Sequence, residues 1–360
     1  MKRVFVSDCE GPISKNDNAF ELTAQFVPSG DKLFTAISRY DDVLADVFQR
    51  QGYNAGDTLK LILPFLKAYD ITDRQMQEFS AQTLLLIAGT KKTLRHILGV
   101  AEAFIVSTSY EHYIRALCEC VGFPFENAYC TRLCMNKHHL SEEEKVTLKA
   151  LAAEIAAMPP IDAPVDTKTL EDFSLIDQGT LRRLDEIFWT QIPRMNIGKI
   201  FSEVTAVGGE QKAQAIRDLT KKRQLPLSGV MYVGDSITDV QAFRLVRENG
   251  GLTVSFNGNG YAVRNAEVSV MSENNLVSAV LADVFLNYGK AQVLQLVENW
   301  SPEALKASPA NPALLNLLLE VYSGELPKVQ IVTDANMESL SSESGKFRKH
   351  VRGEAVGKLG

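Results

Sequence analysis

The chain has 360 residues, which at the usual ~100 to 200 residues per domain corresponds to two domains or to one large domain with insertions. Hydrophobic residues make up 45% and charged residues 23% of it, a globular composition that excludes wholesale disorder. With 38 Lys and Arg against 44 Asp and Glu, the net charge is −6. The chain as a whole therefore offers no basic surface for a nucleic acid.

The sequence indicates a soluble protein of the cytoplasm. No uncharged apolar run reaches the ~18 residues of a membrane helix, and the apolar stretch 276–286 contains Asp283. Near the N-terminus, Asp8 and Glu10 follow the basic start too closely for a secretory signal. The five cysteines are an odd number and too sparse for a disulfide framework, so we expect a reducing compartment and no membrane span.

Short runs rich in β-branched and aromatic residues predict strands at residues 3–7, 103–106, 128–133, 229–233, 252–256, 267–271 and 329–333. After residue 200 the strands alternate with helical patterns at 210–223 and 239–248. Such alternation is typical of parallel strand pairing with helices on both faces of the sheet. The sequence therefore predicts an α/β fold with a doubly wound parallel sheet.

A long helical stretch separates the first two strands. Residues 13–96 carry apolar side chains at helical spacing, as in Leu59, Ile62, Leu63 and Leu66. We expect this insertion to be a helical cap, which makes it a candidate lid.

A second insertion, residues 136–199, is also mainly helical. Its clearest helix opens at Ser141 with Glu144 three residues later, which is a capping-box signature, and stops before Pro159. Another helix is expected over residues 179–189.

The C-terminal region from residue 289 has a helical pattern to residue 322. Residues 340–360 are rich in Ser, Gly, Lys and Arg with few apolar anchors. We expect this basic end to be mobile, because it offers little apolar surface for packing.

Two carboxylates follow the first strand, where Asp8 and Glu10 flank Cys9. Side chains at positions i and i+2 of a strand exit can face the crevice beyond the carboxyl end of the sheet, where open α/β folds bind ligands. One could act as nucleophile and the other as general acid and base. Alternatively, Asp8 caps a turn and Glu10 is solvated.

A second acidic pair, Asp235 and Asp239, follows the strand at 229–233 across a glycine turn. Mg²⁺ prefers oxygen ligands from a few carboxylates together with water and phosphate, which this loop could supply. The alternative is a plain turn with Asp239 at the N-terminus of the next helix, where the helix dipole favours it.

Two further candidates are Ser107 and Lys212. Ser107 ends the strand at 103–106, where hydroxyl and backbone N–H groups can cradle an oxyanion, although such serines commonly cap helices. Lys212 lies in the first turn of a predicted helix, where the dipole disfavours a cation. A functional role would explain it, although surface lysines are common.

The order of these sites resembles the haloacid dehalogenase superfamily. Its phosphatases place a nucleophilic Asp after the first strand, a Ser or Thr after the second, a Lys before the fourth and an acidic pair after the fourth. The corresponding residues here are Asp8 with Glu10, Ser107, Lys212, and Asp235 with Asp239. The joint pattern covers the whole predicted core and is more specific than any one motif.

Three narrower resemblances accompany it. Most superfamily phosphatases have Asp two residues after the nucleophile, whereas Glu10 followed by Gly11 resembles the enolase-phosphatase branch. Residues 255–267 look like the corresponding segment of phosphoserine phosphatase relatives. The overall layout is similar to archaeal-type proteins called energy-converting hydrogenase A subunit R.

The resemblance implies a Mg²⁺-dependent phosphomonoester hydrolase that forms an aspartyl-phosphate on Asp8, with Glu10 as acid and base. Ser107 and Lys212 would hold the phosphoryl oxygens, while Asp8, the Glu10 backbone carbonyl and Asp235 would bind Mg²⁺ with support from Asp239. Charge supports the cation independently, because four acids against one lysine would repel a phosphate dianion. The expected substrate is a small soluble phosphate ester.

The resemblance covers a catalytic core at 1–12, 97–135 and 200–288. Together with the helical patterns above, it divides the rest of the chain into a helical cap at 13–96, a mainly helical insertion at 136–199 and a C-terminal extension with a mobile basic tail at 289–360. Two alternatives remain open. One is a phosphomutase or phosphotransferase of the same superfamily. The other is a non-catalytic subunit of a larger complex, whose basic tail at residues 346–352 docks on a protein partner.

Overall fold

The structure is a computed structural model that describes residues 2–164 and 167–359. Its centre is a seven-stranded sheet in the order β3-β2-β1-β4-β5-β6-β7, in which only β7 is antiparallel to its neighbour. The strands are β1 Val4–Ser7, β2 Ala103–Tyr110, β3 Ala128–Thr131, β4 Val230–Gly234, β5 Leu252–Phe256, β6 Val268–Met271 and β7 Lys328–Ile331. The predicted strands are all present, and the α/β fold class is confirmed.

The α-helices are α1 Asn18–Phe26, α2 Gly30–Asp42, α3 Thr58–Leu61, α4 Leu63–Ala68, α5 Asp73–Thr83, α6 Thr90–Val100, α7 Glu111–Val121, α8 Glu142–Ala156, α9 Leu175–Glu186, α10 Ile200–Glu203, α11 Glu210–Arg223, α12 Val240–Glu248, α13 Gly260–Asn265, α14 Leu276–Tyr288, α15 Lys290–Glu298, α16 Pro302–Ala307, α17 Pro312–Val321, α18 Met337–Arg352 and α19 Glu354–Gly357. In the described part of the chain, none of them combines the length and apolarity needed to cross a membrane.

The sheet is covered on both faces, because alternate residues of each strand point to opposite sides. In β1, Phe5 belongs to an apolar cluster with α6, α7 and α14, whereas Val4 and Val6 belong to another with α11, α12 and α13. All residues of β1, β4, β5 and β6 are buried. The doubly wound arrangement thus follows from strands that are apolar on both faces.

The two helical insertions share a third apolar cluster. Side chains of α1, α2 and α4 pack there with those of α8, α9 and the turns up to Val204, and the Phe188 ring lies against Tyr40 and Phe65. In contrast, α6 begins within the stretch 13–96 but packs on α14 and the sheet. We call the shared unit the helical cap. The domain boundaries given by the sequence remain a prediction.

The C-terminal end is not a mobile tail, so that expectation is wrong for α18 and α19. The buried face of α18 contains Leu340, Ser344, Arg348 and Val351, and α18 packs against α13. The prediction failed because much of this face is polar. Its polar groups find partners in distant parts of the chain, as where the Ser344 hydroxyl donates to the Gly258 carbonyl at 2.6 Å.

Candidate active site

The candidate residues lie at the carboxyl ends of the central strands. Asp8 follows β1 and Asp235 follows β4, while Ser107 lies in the last half of β2. The strand order continues in opposite directions from β1 and β4, so their carboxyl ends form the crevice where open α/β sheets bind ligands. The Asp8 N–H donates to the Val233 carbonyl at 2.8 Å, which fixes the start of this loop to the neighbouring strand.

Three buried carboxylates and one lysine form the centre of the site. Asp8, Asp235 and Asp239 each offer an oxygen, and these atoms lie within 4.8 Å of one another. The Lys212 ammonium donates to Asp8 Oδ2 at 2.6 Å and to Asp239 Oδ1 at 2.8 Å. Lys212 is fully buried, so it is not one of the surface lysines that the sequence left as an alternative. We call Asp8, Asp235 and Asp239 the acidic triad.

The pKa values reflect burial and mutual charge. Burial raises the pKa of Asp8 to about 7, against the attraction of Lys212 and with the repulsion of Asp239 and Asp235. Burial would lower the pKa of Lys212, but the two carboxylates that it contacts raise it above its usual range. Burial opposes ionisation of Asp239 too, yet Lys212 and a hydrogen bond from Tyr232 hold its pKa below the usual value.

Asp239 also shapes the loop after β4. Its Oδ2 accepts from the backbone N–H groups of Asp235 and Ser236 at 2.9 and 3.0 Å. Asp239 also lies directly before α12, which is the position that the sequence left open as an alternative, and this position coexists with the contact to Lys212. One carboxylate therefore both builds the loop and lies within the triad.

A glycine allows the loop after β1 to approach this carboxylate cluster. Gly11 has φ +107°, and a Cβ there would lie 2.1 Å from Asp235 Oδ2. Any larger residue would be strained and would displace Asp235. Glycine is therefore required after Glu10 for a steric reason that the sequence motif alone did not reveal.

Glu10 and Ser107 line the cavity beside the triad. The Glu10 carboxyl accepts from the Asn18 N–H at 2.7 Å, and burial raises its pKa well above the usual value, with added repulsion from Asp17. The buried Ser107 hydroxyl donates to the Ser109 hydroxyl at 3.1 Å. The structure therefore brings together all six predicted site residues, with Lys212 and Asp239 lying behind the cavity wall.

The cavity has a volume of about 90 Å³ and is lined by three parts of the chain. The sheet supplies the residues above, and the helical cap supplies further acids that the sequence analysis missed, among them Asp17, Asp41 and Asp42. Burial raises the pKa of Asp41 to about 6, and its Oδ2 accepts from the Gly56 N–H at 2.9 Å. Only the amphipathic pattern of α2, with Asp41 on its buried face, hinted at this placement.

The third part is α18, whose Arg348 and Arg352 reach the triad. The Arg348 guanidinium contacts the Asp235 carboxylate and donates to the Asp235 carbonyl at 3.2 Å. Arg352 donates to the same carboxylate at 3.2 Å and to the Lys15 carbonyl at 3.0 Å. Both side chains are buried, so these two residues of the predicted docking tail are not available to a protein partner.

The donor set of the triad suits a hard divalent cation. Three carboxylates with their oxygen atoms close together provide the all-oxygen ligation that Mg²⁺ prefers. Among the residues that the structure describes, this is the one such grouping found. Cys134 and the other cysteines are not part of it.

Comparison with known proteins supports the fold. No family model and no curated protein matches the sequence. Among solved structures, the chain is similar to gene product AF1437 from Archaeoglobus fulgidus, with a TM-score of 0.81 and 25% identity over 100% of this chain and 99% of that one. The whole fold therefore recurs in a second chain.

Phosphoserine phosphatases are more distant structural neighbours. A substrate-bound phosphoserine phosphatase complex has a TM-score of 0.46 and 11% identity over 76% of this chain and 95% of that one. A phospho-aspartyl intermediate analogue of phosphoserine phosphatase has a TM-score of 0.43 with the same identity and coverage.

Proposed function

We propose that the chain is a Mg²⁺-dependent phosphomonoester hydrolase of the haloacid dehalogenase superfamily. The observation that carries the proposal is the joint placement of Asp8, Asp235 and Asp239 around Lys212 at the carboxyl ends of β1 and β4. Scattered turn and cap residues would have no reason to converge in this way. The likeness to subunit R of energy-converting hydrogenase A stays a prediction on which this proposal does not depend.

In this mechanism the Asp8 carboxylate attacks phosphorus in line, and the bond between phosphorus and the leaving oxygen breaks. Glu10 donates a proton to that oxygen and then takes one from the water that hydrolyses the aspartyl-phosphate. Lys212 holds Asp8 by a 2.6 Å hydrogen bond and would place a positive charge beside the phosphoryl group on Asp8. The Ser107 hydroxyl would donate a hydrogen bond to a phosphoryl oxygen. The products are inorganic phosphate and an alcohol.

Asp8, Asp235 and the Glu10 backbone carbonyl would hold Mg²⁺, with Asp239 orienting the loop behind them. When bound, the ion would offset the negative charge that otherwise repels a phosphate dianion. The small enclosed cavity and the helical cap above it favour a small phosphate ester over a phosphoprotein.

The test is a panel of small phosphate esters incubated with the full chain and MgCl₂, with released phosphate and isomerised products both measured. Hydrolysis that requires Mg²⁺ supports the proposal. Isomerisation without phosphate release would indicate a mutase instead, and the absence of any turnover across the panel would indicate a non-catalytic fold.

A further inference from the structure

Residues 337–359, which we call the closing segment, lie over the candidate site and enclose part of its cavity. Arg348 and Arg352 are four residues apart on α18 and therefore point to the same side of the helix. Both reach one carboxylate, that of Asp235. The closing segment thus supplies counter-charges to the acidic triad from a part of the chain more than a hundred residues away from Asp235.

The counter-charges are divided between two sources. Asp8 and Asp239 contact Lys212, whereas Asp235 contacts the two arginines. A buried carboxylate without a cation would be costly, so each member of the triad is paired within the chain. A divalent cation drawn to the triad would add two positive charges beside the carboxylate that already holds two guanidiniums, and these cations would repel one another.

The same segment separates two cavities. Leu359 lines the inner cavity of about 90 Å³ and also an outer cavity of about 640 Å³ between α2 and the end of α8. Ser38 and Asp42 line both cavities as well. The inner cavity alone is smaller than the ~300 Å³ at which typical ligand sites begin. Displacement of Leu359 would join the two cavities and open a path to the triad.

A hydrogen bond also links the ion pair between Arg348 and Asp235 to Leu359, which lies between the two cavities. Arg348 donates from one nitrogen to Asp235 and from the other to the Leu359 carbonyl at 3.2 Å. Movement of the Arg348 guanidinium away from Asp235 would therefore shift or break its contact with Leu359 as well. The Arg348 side chain therefore connects the charge of the triad to the position of Leu359 between the two cavities.

We propose that the closing segment is a gate, held shut by Arg348 and Arg352 on Asp235 and opened by a divalent cation at the acidic triad. The gate rests on the metal site of the proposed function but not on hydrolysis. Because a cation and the closed segment oppose each other at Asp235, each weakens the other by the same factor. The gate would admit substrate only to a site that already holds its cation.

The first test measures hydrogen–deuterium exchange of the full chain with and without MgCl₂. We expect exchange in residues 337–359 to rise by about fivefold or more, the lower end of typical coupling between sites. Amides of α14, buried under the sheet, serve as the internal control and should not change. Unchanged or slower exchange of the closing segment, or no Mg²⁺ binding by calorimetry, would overturn the gate.

The second test replaces both arginines, as Arg348→Gln with Arg352→Gln, and measures Mg²⁺ affinity by calorimetry. Removal of the competing charges should tighten Mg²⁺ binding by about fivefold or more. Arg264→Gln is the matched control, because it breaks the exposed pair with Glu338 that also ties down α18 but lies away from Asp235. This control should bind Mg²⁺ like the wild type.

Equal or weaker Mg²⁺ affinity in the double variant would overturn the proposal, since the arginines would then support the cation or be irrelevant to it. If that variant fails to fold, the exchange experiment on the wild type decides. Neither measurement uses a phosphate ester. A chain that opens with Mg²⁺ but hydrolyses nothing keeps the gate and refutes the proposed function, and a hydrolase whose closing segment ignores Mg²⁺ does the reverse.

Discussion

The sheet side supplies the carboxylates of the acidic triad, and the closing segment supplies two arginines that pair with one of them. The two parts are attached to the rest of the molecule by different means. On the sheet side, backbone groups fix the side chains, as where the N–H groups of Asp235 and Ser236 donate to Asp239. The closing segment is attached mainly through side chains, among them Ser344 and Arg352.

The two attachments differ in how easily they can be broken. The sheet-side carboxylates follow buried strands, and core strands open only at free energies near that of global unfolding. The closing segment is held by the ion pairs to Asp235, by hydrogen bonds of single side chains and by apolar contacts of Leu340, Val351 and Leu359. In the proposed gate it detaches without any change in the sheet. Under the proposed function and gate, the reactive groups belong to the rigid part, and access is controlled by the part that detaches. Each prediction below tests one side of this contrast.

The largest effect is expected for Asp8→Asn on the sheet side. The amide is a poor nucleophile and a poor cation ligand, so hydrolysis should fall by about 10³-fold or more. Steady-state phosphate release measures the loss. Asp334→Asn, on the exposed turn after β7, is the matched control and should hydrolyse like the wild type. Wild-type turnover by Asp8→Asn would refute the assigned nucleophile.

Lys212→Met tests the rigid charge network itself. The substitution leaves Asp8 and Asp239 buried without their shared cation, so the free energy of unfolding should fall by about 3–5 kcal/mol. Urea unfolding at neutral pH measures this change, and Lys221→Met on the exposed side of the same helix should have little effect. A Lys212 variant as stable as that control would mean that the triad does not need its buried lysine.

Glu10→Gln should lower hydrolysis by about 10²-fold, because the amide neither donates nor accepts the proton at the leaving oxygen. Mg²⁺ affinity should change little, since the ligand assigned to Glu10 is its backbone carbonyl. Calorimetry and turnover on the same sample separate the two effects. Unchanged turnover would remove Glu10 as the acid, and a loss of Mg²⁺ affinity would mean that its carboxyl group, which the proposal leaves free, contributes to cation binding.

The sequence predicted the sheet side well and the closing segment poorly, for a physical reason. Asp8 and Asp235 follow apolar strands that are buried on both faces, and such runs can be recognised without knowing their neighbours. Arg348 and Ser344 lie on a polar helix face whose burial depends on partners far away in the chain. Hydrophobic periodicity does not register such a face and therefore predicts a mobile tail.

The helical cap shows a related limit. Its helical content was predicted, but the cluster that joins α2 and α4 to α8 and α9 was not, because it joins segments separated by the core strands β2 and β3. Acids of the cap such as Asp41 and Asp42 reach the cavity only through that packing. Their place in the site was therefore not readable from local patterns.

The smallest effect on stability is expected for Leu359→Ala in the closing segment. Leu359 is 8% exposed and packs at the edge of the cap cluster, so global unfolding should cost less than the ~2–5 kcal/mol of a fully buried leucine truncation. The partition between the two cavities should nevertheless weaken, since this side chain lines both. We therefore expect exchange of residues 353–359 to quicken without Mg²⁺, and kcat/KM for bulkier phosphate esters to rise relative to small ones.

Val321→Ala, an exposed apolar truncation remote from both cavities, is the control. Stability loss as large as that of a core leucine, with unchanged local exchange, would show that the closing segment belongs to the rigid part of the molecule and that the contrast with the sheet side is false.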